Sequence, residues 1–212
     1  MKIDFSFESI GNDFFERVKV LNIEDKKIWF DVVYGGAHMS ELMHIGSMLG
    51  SKVNMFLGSV GELQKGSSSG DIIVPTYSYG EESSTKLYNR GAIDDCHYPD
   101  EELSEEVYKN ISKEFNKKRG SLITCQATLG ESWEDIMSWS KHGYVGVEME
   151  TATFFAVSRY FDIPSTALLY ISDNLIEKET VNSTSHQNMS ELRNQVRLHN
   201  YKLGLSTILS KF

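Results

Sequence analysis

Three acids are the residues in this chain best placed to do chemistry. Glu148 and Glu150 stand in "VGVEME" among Val145, Val147 and Met149, and Asp173 closes the apolar run "ALLYISDN" between Ser172 and Asn174. In an extended segment, side chains at i and i+2 share a face, so Glu148 and Glu150 are expected on one side and Val147 and Met149 on the other. The helix expected next has Thr151 or Thr153 as its cap and Phe155, Ala156 and Tyr160 on one face. Acids at such an entrance have two readings: negative charge suits a helix N-terminus, or the carboxylates bind something. Asp173 also has two readings. Asp-Asn is turn chemistry, and ligands of open α/β sheets bind outside the carboxyl ends of strands.

The elements that must position these acids alternate between strand and helix. "KKIWFDVVYGG" (26–36) reads as a buried strand closed by a glycine pair. "HMSELMHIGSML" (38–49) has helical spacing. "KVNMFLGS" (52–59) is a second strand ending at Gly58, and "GDIIVPT" (70–76) a third. An amphipathic helix is expected over 100–118, a strand over 120–128, and a helix over 132–143 with Ser132 as N-cap. A strand over 165–172 and a final helix from about 188 to 209 complete the chain. Alternation of this kind predicts an α/β fold. No repeat, low-complexity tract or linker interrupts it, so residues 1–212 are expected to form a single domain.

Composition narrows the function classes. The chain has 212 residues, 40% hydrophobic and 24% charged, which suits an ordinary globular domain with a sizeable core. A net charge of −9 argues against a nucleic-acid surface. Two cysteines, Cys96 and Cys125, make no disulfide framework and no zinc spacing, and a reduced, cytoplasmic setting is expected. The histidines, among them His38, His44, His97, His142 and His199, show no ligand spacing, so no metal and no cofactor is expected. The N-terminus lacks the pattern of a signal peptide, and no apolar run reaches the roughly 18 residues of a membrane span.

"GVEMETATFFAVSRYFDIPSTALLYISDN" resembles the nucleoside phosphorylase and nucleosidase superfamily, of the purine nucleoside phosphorylase, uridine phosphorylase and methylthioadenosine nucleosidase type. "GSVGELQKGSSSGDIIVP" is similar to that family's G-[ST]-x-G turn and following strand, and "VVYGGAHMSELMHIG" to the glycine turn before its first long helix. The resemblance runs from about Lys26 to Leu205. It implies a central twisted mixed β-sheet flanked by helices, and cleavage of the N-glycosidic bond of a purine-type nucleoside. It implies that Glu150 accepts hydrogen bonds from the ribose 2′- and 3′-hydroxyls, that Met149 packs under the sugar, and that Asp173 protonates the base. Ser59 and Gly58 would lie near the ribose or phosphate. Glu148 matches a more structural position, Ser172 stands beside the acid, Gln126 offers its amide to a base edge, and His186 lies where some members place an assisting cation. The family's usual assembly implies a homo-oligomer, dimer or higher, with sites completed across an interface.

The chain also departs from the family pattern. Phosphorolytic members hold phosphate with an arginine just before the G-S-x-G turn, where this sequence has Asn54, Met55, Phe56 and Leu57. The family's early glycine-and-arginine loop is not recognisable, so the N-terminal strand loop is read as shortened, and Arg17 could reach a neighbouring subunit's site. Water is therefore expected as nucleophile in place of phosphate, with Glu8 or Glu16 as the residue that could activate it. Gly130 stands where an aromatic would stack on the base, and Trp133 or Tyr170 could stack instead. Three readings stay open: a nucleosidase, a phosphorylase with phosphate ligands from a neighbouring subunit, and a catalytically weak nucleoside-binding or regulatory subunit. A dinucleotide-binding dehydrogenase does not fit, because no G-x-G-x-x-G follows a strand.

Overall fold

The computed structural model describes residues 5–9, 17–81, 83–178 and 189–211. They gather into two compact units, one ending at Tyr34 and the other running from Gly35 to Lys211. The first is a three-stranded antiparallel meander of β1 (Phe5–Ser9), β2 (Lys19–Ile23) and β3 (Lys26–Phe30), in the order β1-β2-β3. A two-residue turn joins β2 to β3, and Glu24 takes the left-handed backbone (φ 55°) that such a turn requires. The expected strand over 26–36 is thus shorter than its apolar run. It stops at Phe30 and pairs in this small sheet rather than in the main one. The glycine pair that was read as its closing turn is the first turn of a helix.

The second unit has a central mixed sheet flanked by helices. In chain order its elements are α1 (Gly35–Met48), β4 (Asn54–Glu62), β5 (Ile72–Tyr79), α2 (Ser83–Tyr88), β6 (Cys96–His97), α3 (Glu101–Asn110), β7 (Lys117–Thr124), α4 (Trp133–Lys141), β8 (Gly146–Glu148), α5 (Thr151–Tyr160), β9 (Ser165–Asn174) and α6 (Ser190–Ser210). The strand order is β6-β5-β7-β8-β4-β9, and β9 also pairs with β5, so five strands close into a ring. Pairs β4–β9, β5–β7 and β7–β8 are parallel, while β4–β8, β5–β9 and β5–β6 are antiparallel. Helices α1 and α2 pack on α5, and α3 and α6 pack on each other and on β9.

Boundaries moved for identifiable reasons. The helix expected over 100–118 ends at Asn110, because Ile111 turns extended (ψ 128°), and the following lysines begin β7. The strand expected to end at Gly58 continues to Glu62, with an irregularity between Val60 and Gly61, so G-S-x-G is strand rather than turn. Strand β5 carries Ile72, Ile73 and Val74, all buried, because both its faces are covered. Its ladder with β7 shifts between Pro75 and Tyr77, where proline has no N–H to give. The Ser132 cap is present as expected, with a reciprocal bond to Asp135.

One buried ion pair stabilises the sheet. Glu62 is fully buried on β4 and pairs with Lys118 of β7, which also donates to Ser67 Oγ at 2.7 Å. Burial pushes the Glu62 carboxyl up, and Lys118 opposes that push. Removing the lysine would leave a buried carboxylate with little compensation. Lys118→Met is expected to cost about 3 kcal/mol in urea unfolding; a loss below about 1 kcal/mol would show that the pair holds nothing together.

Candidate functional site

The site forms where β7, β8 and β9 end beside β4 and the helices α1 and α5 begin. Thr124 pairs with Glu148 across β7 and β8. Gly61 of β4 is flanked by Val147 of β8 on one side and by Asp173 of β9 on the other. Two inter-strand spacings, about 10 Å, therefore separate the backbones of Val147 and Asp173. Because β8 runs antiparallel to β4, the residues after Val147 head back along β4 towards Ser59 and Gly58. The E-M-E segment and the S-D segment thus lie on either side of the G-S-x-G stretch.

Glu148 is buried, and its carboxylate caps α5. Its Oε2 accepts from the backbone N–H groups of Glu150 (2.7 Å) and Thr151 (2.6 Å), and its Oε1 accepts from Thr124 Oγ1 at 2.5 Å. Thr124 Oγ1 also accepts from the Ala152 N–H at 2.9 Å and meets Ser78 Oγ at 2.9 Å. Three of the first N–H groups of α5 are satisfied in this way by side chains of β7 and β8. The threonines expected as caps lie inside the helix, which is capped from the strand before it.

Burial outweighs these bonds and holds the Glu148 carboxyl up at about 7. When protonated on Oε1 it would donate to Thr124, which would then donate to Ser78, so the chain of hydroxyls can run either way. A raised carboxyl takes up a proton in the folded chain that the unfolded chain does not bind, between its ordinary value of 4.5 and about 7. Stability therefore falls as pH rises through that window and levels off above it. Glu148→Gln mimics the protonated form. The difference in Tm between wild type and this variant is expected to move against the wild type from pH 5 to 7.5. Parallel Tm profiles would show that Glu148 does not titrate there.

Glu150 is the N-cap residue of α5 by position, with φ −135° and ψ −27°, and its side chain makes no cap bond to α5. Its Oε1 instead accepts the Gly35 N–H at 2.5 Å, at the start of α1. Burial raises the Glu150 carboxyl, and this bond counters the rise. The two acids therefore do not point one way along an extended segment: Glu148 serves α5 and Glu150 serves α1. Gly35 has φ +78°, which favours glycine, and a Cβ at Gly36 would collide with the Gln126 amide and lie 2.6 Å from Thr153 Oγ1. The Gln126 Nε2 is buried without a hydrogen-bond partner. Gln126 and Glu150 thus converge on the same glycine pair, and Thr153 is tied to Ser84 of α2 at 3.0 Å.

At the other acid, Ser172 Oγ donates to Asp173 Oδ1 at 2.5 Å and contacts the Val60 carbonyl at 3.2 Å. Ser69 Oγ donates to the Ser172 carbonyl at 2.7 Å, and the next residue, Asn174, is buried and donates to the carbonyls of Gln64 and Ser67. An acid the sequence reading missed, Glu131, feels the charge of Asp173. Burial first, and the charge of Asp173 second, hold the Glu131 carboxyl up at about 7. Lys178 lies over the Trp133 ring at 5.2 Å, and Leu175 and Ile136 both pack against the cluster of Leu63, Ile123 and Val147, which ties the start of α4 to the segment after β9. Nothing in the local pattern around Glu131 marks it, because its partner is more than 40 residues away.

The other expected residues are placed as follows. Ser59 is exposed and pairs with Tyr170, and Gly58 pairs with Leu169, both in mid-strand. Met149 is half-buried. Trp133 is 43% exposed, and Tyr170 packs in the cluster under α3 and α6. Arg17 is exposed in the first unit. The Glu8 side chain, Glu16 and His186 lie outside the described residues. Neither Cys96 nor Cys125 is in a disulfide, and among the described residues no helix is long and apolar enough to cross a membrane.

A ring of mixed strands flanked by helices is also the fold of solved nucleosidases. The chain belongs to the phosphorylase superfamily, whose family model matches residues 36–200. Among curated relatives, it is 33% identical over 77 residues to the DeoD-type purine nucleoside phosphorylase of Clostridium beijerinckii, covering 36% of this chain and 32% of the relative. It is 26% identical over 132 residues to that of Clostridium perfringens, covering 62% of this chain and 56% of the relative. The matches thus span between about a third and three-fifths of these relatives. Among solved structures, AMP nucleosidase from Bacteroides thetaiotaomicron superposes with a TM-score of 0.69 at 21% identity, over 94% of this chain and 80% of the other. A provisionally named methylthioadenosine nucleosidase from Weissella paramesenteroides gives 0.73 at 17% identity, over 99% and 90%.

Proposed function

We propose that this chain cleaves the N-glycosidic bond of a purine-type nucleoside by hydrolysis, with Glu150 holding the ribose hydroxyls and Asp173 protonating the base. The observation that carries the reading is the placement of the E-M-E and S-D segments on either side of Gly61, about two strand spacings apart. Cleavage of a C–N glycosidic bond passes through an oxocarbenium-like sugar. A carboxylate below the ribose accepts its two vicinal hydroxyls and sits near the developing positive charge. Asp173 gives a proton to the purine ring as the C–N bond breaks, and water adds to C1′. The proton that water loses returns through solvent to the Asp173 carboxylate. Met149 forms the apolar floor under the sugar, Glu148 positions the Glu150 backbone, and Gln126 presents an unpartnered amide. Ser59 and Gly58 border the sugar from β4, Ser172 orients Asp173, and His186 belongs to the same reading as an assisting cation. The reading takes residues 1–212 as one functional domain in a cytoplasmic homo-oligomer, dimer or higher.

Phosphorolysis is the second reading. What favours it is the name of the curated relatives and a cation, Arg197, that the fold brings beside Gly58. The test is release of free base from a panel of nucleosides, with and without phosphate, read by chromatography. Equal release in phosphate-free buffer supports hydrolysis, and release only with phosphate supports phosphorolysis. No release under either condition would overturn both.

A further inference from the structure

Helix α6 lays one stripe of residues across β4 and β9. Arg197, Asn200, Tyr201 and Gly204 recur at the i, i+3, i+4, i+7 spacing of one helix face. Gly204 brings the helix close: a Cβ there would lie 3.0 Å from the Leu57 side chain. Under this stripe is a small cavity of about 20 Å³, lined by Leu57, Gly58, Tyr170, Arg197, Asn200 and Tyr201. Asn200 is only 2% exposed, and neither its Nδ2 nor its Oδ1 has a hydrogen-bond partner. A buried amide with no partner is costly in free energy, so something polar is expected to meet it. Arg197 and Tyr201 are exposed, and Arg197 makes no ion pair among the described residues. The polar groups carried by the lining residues are a guanidinium, an amide and two phenols, and no carboxylate is among them.

We propose that Arg197 and Asn200 bind a phosphate group beside Gly58, one protonated phosphate oxygen entering the cavity and the rest of the group lying at its mouth against the guanidinium. The size fits one oxygen: a cavity needs about 10–15 Å³ to hold a single water. The chemistry fits a P–OH in particular. Such an oxygen donates to Asn200 Oδ1 and accepts from Nδ2, answering both amide atoms at once, and Arg197 supplies the charge-assisted bond. The cavity is one residue along β4 from Ser59, whose strand partner is Tyr170. The phosphate is therefore either free inorganic phosphate beside the sugar or the 5′-phosphate of a nucleotide. The purpose of the anion rests on the nucleoside reading above, whereas its binding does not.

The test is calorimetric titration of the full chain with inorganic phosphate, with a nucleoside 5′-monophosphate and with sulfate, for wild type, Arg197→Gln and Asn200→Leu. At least one phosphate compound is expected to bind, and each variant to weaken it by about tenfold or more. Sulfate has no proton at neutral pH to offer Asn200 Oδ1, so it is expected to bind at least about tenfold more weakly than phosphate. Binding of inorganic phosphate alone identifies it as co-substrate, and tighter binding of the monophosphate, with inorganic phosphate competing, identifies a nucleotide. Absence of binding by either compound, unchanged affinity in Arg197→Gln, or sulfate binding as well as phosphate would overturn the proposal. Arg197 is exposed, so its variant folds even if Asn200→Leu does not. Because these titrations use no sugar cleavage, phosphate binding without any base release would sink the glycosidase reading and leave the pocket standing.

Discussion

Glu150→Gln is expected to fold normally and to lose about 10²–10³-fold in kcat. Glutamine keeps an oxygen for the Gly35 N–H, which is the hydrogen bond tying this side chain to the start of α1. What the substitution removes is the negative charge. In the ground state the ribose is neutral and a glutamine amide can still hydrogen-bond a hydroxyl, so KM is expected to change little. In the transition state the sugar carries positive charge, and only the carboxylate answers it. The loss should therefore fall on kcat. Circular dichroism and thermal unfolding of the variant check the fold, and steady-state kinetics on the best nucleoside of the panel check the effect. Activity within about threefold of wild type would remove Glu150 from the ribose site.

Asp173→Asn is expected to lower kcat by about 10²–10⁴-fold for nucleosides, the range that loss of a general acid produces. Asparagine retains an oxygen for the Ser172 hydroxyl, so β9 should end as before. The role can be separated from mere positioning by changing the leaving group. A nitrophenyl riboside departs without needing a proton, so on that substrate Asp173→Asn should approach wild-type turnover while Glu150→Gln remains slow. If both variants are equally slow on the activated riboside, Asp173 is not acting as an acid. Glu131 bears on the same measurement, because burial and, second, the charge of Asp173 hold its carboxyl up at about 7.

Much of the second unit was legible from local pattern. The apolar run of β5, the Ser132 N-cap and the strand leading to Asp173 are each dictated by neighbours within a few residues, and all three are present, with β5 and β9 running past their expected ends to Tyr79 and Asn174. The order of motifs from the glycine pair to "YISDN" likewise pointed to the family, because it needs only sequence separation. By contrast, the strand expected over 26–36 was misjudged, because its pairing partner is β2 across a turn rather than any strand of the main sheet. The bounds of β4 were misjudged because a glycine-rich stretch reads as a turn, whereas β8 and β9 hold it in register to Glu62.

By itself the sequence determined which acids are present, which elements they border and which family the chain resembles. Only the tertiary structure decided what each acid faces. Glu148 turns to α5 and Glu150 to α1, although they are two residues apart, because the chain leaves the extended conformation between them. Glu131 feels the charge of Asp173, 42 residues away in sequence, and Arg197 with Asn200 comes to lie beside Gly58, about 140 residues away. Side-chain chemistry is written in the residue types, but protonation and binding depend on burial and on distant partners, and these exist only once the strands have closed.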